Sequence, residues 1–144
     1  MELRLLAQAK EPSIIAIVET WLDGSHSDNE VFISGYKLLR KDRSDNPNRG
    51  GVCVFARNEL QVTALTMADH QGNCSCENLW IKVSSGVCRN FILGVVYRSP
   101  RNNDFTSHVV CDLESVAARS HPLVVVGDFN MYATAYRMHQ VKTR

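Results

Sequence analysis

Short runs of apolar residues mark the predicted strands of this chain. Residues 14–18, 91–96 and 123–126 are rich in β-branched side chains and are too short for helices. Residues 124–126 are three consecutive valines, which predicts a central strand covered on both faces. Helical spacing occurs in two places. The first is a short helix from Leu3 that Pro12 ends, and the second runs from Phe105 to Ala117 after the cap candidates Asn103 and Asp104.

The remaining β-rich segments come in pairs, which predicts antiparallel pairing. Residues 51–57 and 60–65 are separated only by Asn58 and Glu59, so we expect a hairpin there. Residues 78–83 and 89–97 form a second predicted hairpin around a turn at 84–86. Residues 36–40 are predicted as one further short strand.

Three of the predicted strands end in polar side chains that suit phosphate or cation chemistry. Asp128 and Asn130 follow the valine run, Glu19 follows the first strand, and Tyr97 and Arg98 follow the strand at 91–96. Ligands of open α/β sheets lie beyond the carboxyl ends of strands, where neighbouring strand ends meet. Two carboxylates there repel each other unless a cation lies nearby. Taken singly, each residue is also an ordinary turn or strand-end residue.

Five segments in this order resemble the endonuclease/exonuclease/phosphatase superfamily, and most of all the endonuclease domains of non-LTR (LINE-like) retrotransposons. The segments are ETWL (19–22), RGGV (49–52), ENLWIKV (77–83), GVVYRSP (94–100) and VVVGDFN (124–130). The resemblance covers about residues 3–131. It implies an α/β fold of the DNase type, a sandwich of two mixed β-sheets flanked by helices, and it predicts that the sandwich is incomplete here.

The resemblance also assigns roles to the strand-end residues. Glu19 and Asp128 would be ligands of Mg²⁺ or Mn²⁺, and Asp128 would also position water or manage a proton. Asn130 would hold the substrate phosphate or orient Asp128, Tyr97 would donate to developing charge, and Arg98 is a candidate phosphate contact. The implied activity is metal-dependent hydrolysis of phosphodiesters, most of all nicking of DNA. The alternatives are a phosphatase of the same fold acting on lipid or inositol phosphates, and a non-catalytic remnant that binds nucleic acid.

Both ends of the chain depart from the family pattern. Relatives begin with a strand that carries an active-site Asn and end with a Ser-Asp-His segment, and neither has a match in this sequence. We therefore expect a partial domain at residues 1–130, a divergent tail at 131–144, and weak or no activity. DNA is the expected partner of the full-length ancestor, and no protein partner can be inferred.

Composition adds little to this interpretation. The net charge of +1 gives no global nucleic-acid signature, and no apolar run is long enough to predict a membrane span. An odd number of cysteines, five, and the lack of a signal-like leader predict an intracellular protein with incidental thiols rather than a zinc site. Glu77 is interpreted as a solvated strand-end acid. Trp21 has two interpretations, as the floor of the active-site edge or as a packing residue, and the second is the usual one for a tryptophan after a strand.

Overall fold

The computed structural model of the protein describes residues 2–43, 49–67, 77–84, 86, 89–99 and 105–130, without the side chains of 105–108. Within this part of the chain there are two helices and seven strands. They are α1 (Leu3–Lys10), β1 (Ile14–Val18), β2 (Tyr36–Lys41), β3 (Val52–Arg57), β4 (Gln61–Ala64), β5 (Glu77–Ser84), β6 (Phe91–Tyr97), α2 (Phe105–Ala117) and β7 (Leu123–Asp128).

The strands form two sheets. The first has the order β1-β3-β2 and is antiparallel throughout. The second has the order β4-β5-β6-β7, in which β6 and β7 are parallel and the other pairs are antiparallel. Helix α2 makes the connection between the two parallel strands, as parallel pairing requires a crossover.

The apolar core lies between the two sheets. Every second residue of β3, namely Val52, Val54 and Ala56, packs in one buried cluster with inward-facing residues of β5 and β6 such as Ile81 and Val95. The period of two along each strand explains this arrangement, because alternate side chains point to the same face of a sheet.

Each sheet is covered on its outer face by a helix. The other residues of β3, Cys53 and Phe55, pack with Ala7 of α1, and Trp80 and Val96 of the second sheet pack with Val116 of α2. The result is a helix, sheet, sheet, helix sandwich. The fold class predicted from the sequence is confirmed, and so are the hairpin of β5 with β6 and the two helices.

The predicted hairpin between β3 and β4 is wrong, because these strands lie in different sheets. Both edges of β3 are already paired, one with β1 and the other with β2, so β3 has no edge left for β4. The chain turns after Arg57, whose carbonyl accepts the N–H of Leu60 at 3.0 Å, and β4 then pairs with β5.

The prediction that residues 124–126 form a central strand is not met within the described residues, although both faces of the strand are partly covered. In the described residues β7 pairs on one side only, with β6, and forms an edge of the second sheet. Val124 is 44% exposed, whereas Val125 and Val126 pack against the two clusters on either face. A run of three valines therefore does not distinguish a central strand from an edge strand in which only one of the valines is exposed.

Candidate active site

Strand register brings the polar strand ends to one end of the sandwich. Tyr97 at the end of β6 lies opposite Glu77 of β5 on one side and Asp128 of β7 on the other. In the first sheet, Val18 at the end of β1 pairs with Val52 at the start of β3. Side-chain contacts join the sheets at this end, among them the Tyr97 hydroxyl that donates to the Glu19 carboxylate and the Gly51 N–H that donates to the Glu77 carboxylate.

Tyr97 is the centre of this arrangement. Its side chain is buried, and burial raises the pKa of the phenol well above its usual value. The hydrogen bond to Glu19 and the negative charges of Glu19, Glu77 and Asp128 raise that pKa further. Tyr97 therefore keeps its proton and remains a hydrogen-bond donor beyond the pH range in which a free tyrosine ionises.

Glu19 and Asp128 are the exposed carboxylates beside Tyr97. Within the described ranges, neither of them forms an ion pair with a lysine, arginine or histidine side chain. The same part of the chain contains no group of three or more His, Cys, Asp or Glu side chains arranged to hold a metal. Two carboxylates without a cationic side chain fit an ion such as Mg²⁺, which keeps several waters and needs only one or two protein carboxylates.

Asn130 and Arg98 lock each other by reciprocal hydrogen bonds. The Asn130 carboxamide donates to the carbonyl of Arg98 at 2.7 Å, and the Arg98 guanidinium donates to the carbonyl of Asn130 at 3.2 Å. The Arg98 N–H donates to the carbonyl of Asp128 at 2.8 Å, and the Asn130 N–H donates to the Asp128 carboxylate at 3.0 Å. Arg98 thus holds the turn that carries Asp128 and Asn130. The backbone of Asn130 is in the left-handed region, with a φ of 43°.

Glu77 is a residue whose role the sequence analysis missed. It is 4% exposed, so its interpretation as a solvated acid is wrong. Its carboxylate accepts the Gly51 N–H and forms an ion pair with the Arg43 guanidinium at 3.0 Å. The period of two was the available signal, because Glu77 continues the inward-facing series of Leu79, Ile81 and Val83.

The Gly50-Gly51 pair is required by this contact. Both residues are left-handed, with φ of 70° and 81°. A Cβ atom on Gly50 would overlap the Glu77 carboxylate, and one on Gly51 would lie 2.5 Å from the Thr20 hydroxyl oxygen. The RGGV segment therefore lets the backbone approach both Glu77 and the residues that follow Glu19.

The segment after β1 continues the ladder with β3 in a strained conformation. The Thr20 N–H donates to Gly51 at 3.2 Å and the Trp21 N–H donates to Gly50 at 2.8 Å. Glu19 and Trp21 have φ of 53° and 56°, and such left-handed positions cost about 1–3 kcal/mol each when a side chain is present. Trp21 is 57% exposed, so its interpretation as a packing residue is wrong.

Arg40 of β2 holds the loop that follows Trp21. Its guanidinium forms ion pairs with Asp28 at 3.3 Å and Asp42 at 3.2 Å and donates to the carbonyl of His26 at 2.9 Å. The loop and the strand ends are therefore connected through one arginine that is largely shielded from solvent.

A buried polar chain supports the other side of the site. Asp112 of α2 accepts hydrogen bonds from the Asn78 carboxamide at 2.6 Å and from the Trp80 indole at 3.2 Å, and the Lys41 ammonium donates to Asn78 at 3.3 Å. Trp80 is 1% exposed and belongs to the buried core. Asp112 was not predicted as a buried residue, because acidic residues on amphipathic helices are usually solvated.

Comparisons with known proteins agree with this geometry. The model of the endonuclease/exonuclease/phosphatase family matches residues 2–144, including the segment 131–144 that lies outside the described residues. A search of curated proteins finds no significant match. In the described part of the chain, no helix combines the length and apolar character needed to span a membrane.

Three similar solved structures share the fold. The catalytic domain of human Nocturnin with a bound sulfate anion has a TM-score of 0.66 and 18% identity, over 91% of this chain and 56% of that one. ANGEL2, a 2′,3′-cyclic phosphatase, has a TM-score of 0.66 and 13% identity, over 90% and 42%. The endonuclease domain of TRAS1, a telomere-specific non-LTR retrotransposon, has a TM-score of 0.64 and 14% identity, over 91% and 54%. The chain thus spans about half the length of the structures it matches.

Proposed function

Because the chain belongs to the endonuclease/exonuclease/phosphatase family, we propose that its site hydrolyses phosphodiester bonds of nucleic acid, with Mg²⁺ or Mn²⁺ bound and water as the nucleophile. The observation that carries the proposal is the convergence of Glu19, Tyr97 and Asp128 from three strands of two sheets. Hydrolysis of a phosphodiester builds negative charge on the phosphate oxygens and on the leaving alkoxide. A fixed donor and a cation held by carboxylates oppose that charge more effectively than a nucleophilic side chain does.

Each residue has a distinct proposed role. A bound Mg²⁺ or Mn²⁺ would supply positive charge against the phosphate oxygens, and Glu19 and Asp128 are the side chains that would hold it. Tyr97, which stays protonated, would donate a hydrogen bond to developing charge. Asp128 would accept a proton from the attacking water, and the Asn130 N–H keeps its carboxylate oriented.

Arg98 and Asn130 are proposed to contact phosphate. Each side chain also donates one hydrogen bond to the carbonyl of the other, which holds the turn that carries Asp128. The proposed substrate is DNA, and the similarity to the endonuclease domain of the TRAS1 retrotransposon supports a nucleic-acid substrate.

Nicking of supercoiled plasmid under single-turnover conditions, with protein in excess, tests the proposal. We expect slow conversion to open circles with Mg²⁺ or Mn²⁺, no conversion in EDTA, and losses of at least a hundredfold in E19Q, Y97F and D128N. E59Q is the matched control, because Glu59 is an exposed carboxylate paired with Arg57 away from the site.

Other outcomes select the alternatives. Turnover of soluble phosphate esters, inositol phosphates or a 2′,3′-cyclic nucleotide, without plasmid nicking, would assign the site to a phosphatase. Salt-dependent DNA binding with no hydrolysis of any substrate would make the chain a non-catalytic nucleic-acid-binding remnant. Nicking that is equal in wild type, E19Q and D128N would contradict the assignment of the site itself.

A further inference from the structure

Trp21 is an exposed aromatic side chain close in sequence to the proposed phosphate site. It follows Glu19 by two residues and its N–H is bound to the carbonyl of Gly50 at 2.8 Å. Its indole is 57% exposed, whereas the other tryptophan, Trp80, is 1% exposed and hydrogen-bonded to Asp112. The two tryptophans therefore have opposite environments.

Packing within the described fold does not explain Trp21. Its neighbours Thr20 and Leu22 line a cavity of about 390 Å³ on the outer face of the first sheet, between α1 and β3, and Trp21 does not. Its backbone is left-handed at φ 56°, a conformation in which a bulky side chain is a genuine outlier and which glycine or asparagine would adopt at lower cost. A tryptophan at this position therefore has two unfavourable contributions to the free energy of folding, the left-handed backbone and the exposed apolar indole.

The backbone around Trp21 is held firmly. Two ladder hydrogen bonds join Thr20 and Trp21 to the Gly50-Gly51 pair, and the Thr20 hydroxyl accepts the Leu22 N–H at 3.4 Å. The exposed Arg49 directly precedes Gly50, so a cationic side chain and the indole emerge from neighbouring backbone positions. An exposed indole on a backbone held in this way, paired next to a cationic residue and two residues after Glu19, matches the chemistry of a nucleotide, with its flat base and charged backbone.

We propose that Trp21 is a stacking platform for an unpaired nucleobase next to the phosphodiester held at the Glu19–Tyr97–Asp128 site. This inference rests on the proposed function and deepens it, since it makes an unpaired nucleotide, rather than a base-free phosphate ester, the preferred ligand. Stacking on an aromatic side chain is tolerant of sequence, because every base offers a π face. A membrane surface is the alternative partner of an exposed indole, and vesicles of anionic lipid distinguish it from a nucleobase.

Intrinsic fluorescence tests the platform without requiring hydrolysis. The probes are a single-stranded oligothymidylate and an oligomer of the same length with abasic deoxyribose units, both titrated in EDTA and again with Ca²⁺. We expect the thymidylate to quench the solvent-exposed component of the emission and the abasic oligomer to leave it unchanged. In W21F, in which Trp80 alone emits, neither oligomer should change the emission.

Affinity measured by anisotropy of the labelled oligomers gives the second readout. Loss of one stacked base typically weakens binding by about ten- to a hundredfold, so we expect that loss for thymidylate in W21A and only a small change in W21F, which keeps a ring. Affinity for the abasic oligomer should be the same in wild type and W21A. Circular dichroism of W21A confirms that the variant is folded.

Several results would overturn the inference. Equal quenching by the thymidylate and abasic oligomers, no binding of either, or thymidylate affinity unchanged in W21A would each remove the platform. Quenching by vesicles of anionic lipid but not by thymidylate would assign the indole to a membrane surface. Because binding is measured in EDTA, stacking without plasmid nicking would refute only the proposed hydrolysis, and nicking without a Trp21 response would refute only the platform.

Discussion

Replacing Gly50 by alanine should destabilise the protein far more than the same change at Gly35, where a Cβ would meet no other atom. Gly50 has φ of 70°, and a Cβ there would overlap the Glu77 carboxylate. The left-handed conformation alone costs an L-residue about 1–2 kcal/mol. The Glu77 carboxylate would also have to leave the Gly51 N–H, and a charge-assisted hydrogen bond of this kind contributes about 1.5–3 kcal/mol. The expected loss for G50A is therefore about 2.5–5 kcal/mol in the free energy of unfolding.

Gly35 provides the matched control. Its φ is 85°, and a Cβ there would meet nothing within 4 Å, so G35A should cost only the backbone strain, about 1–2 kcal/mol. Urea unfolding of wild type, G50A and G35A measures the difference, which isolates the contact with Glu77. In an E77A background the overlap is gone, and G50A should then cost no more than G35A. If G50A and G35A differ by less than about 0.5 kcal/mol in the wild-type background, the close approach of Gly50 to Glu77 is not real.

Three further predictions follow from the site and the core. Burial and three carboxylates raise the pKa of Tyr97, so the ultraviolet titration of wild type minus Y97F should show a phenol that ionises above the usual value of 10.0. The folded state should lose stability as the pH rises above that value, because the unfolded state then releases the proton first. A difference titration centred at or below 10.0 contradicts the assignment. Millimolar Mn²⁺ should raise the melting temperature of wild type and of E59Q but not of E19Q, and an equal rise in E19Q would place the ion elsewhere. The free energy of unfolding of W80F should be about 1–3 kcal/mol lower than that of wild type, because Asp112 loses the indole donor at 3.2 Å. W80F should keep the rise in melting temperature with Mn²⁺. An unchanged free energy of unfolding would show that this hydrogen bond contributes nothing to stability.

The sequence was most informative where a predicted strand is followed directly by polar side chains. The runs before Glu19, Tyr97 and Asp128 are short, apolar and β-branched, so both the strands and the polar groups at their ends could be predicted. Their proximity followed from the resemblance and from the rule that strand ends meet at one edge of a sheet. The roles proposed for these residues and the boundary of the domain at residue 130 stay predictions.

The local sequence pattern could not predict which sheet each strand belongs to. Asn58 and Glu59 between two β-rich runs are typical of a hairpin, and only the long-range pairing of β3 with both β1 and β2 excludes it. The same holds for the edge position of β7, which depends on what pairs beside it rather than on its valines. Glu77 and Trp21 were misjudged for a related reason: general preferences assign acids to the surface and tryptophans to the core, and both residues here are exceptions at the site.

The hydrogen bond between Tyr97 and Glu19 crosses from one sheet to the other, so the two halves of the site are carried by separate layers of the sandwich. Neither sheet holds the complete set of groups by itself. The distance between the phenol and the carboxylate is set by how Val54, Ile81 and Val95 fill the space between the layers, far from any substrate. A cavity made there, for example by Val54→Ala, would let the layers shift and loosen the site while each sheet keeps its own strands paired. Catalysis by such an arrangement would disappear before the secondary structure does, and activity would report how tightly the two layers are docked.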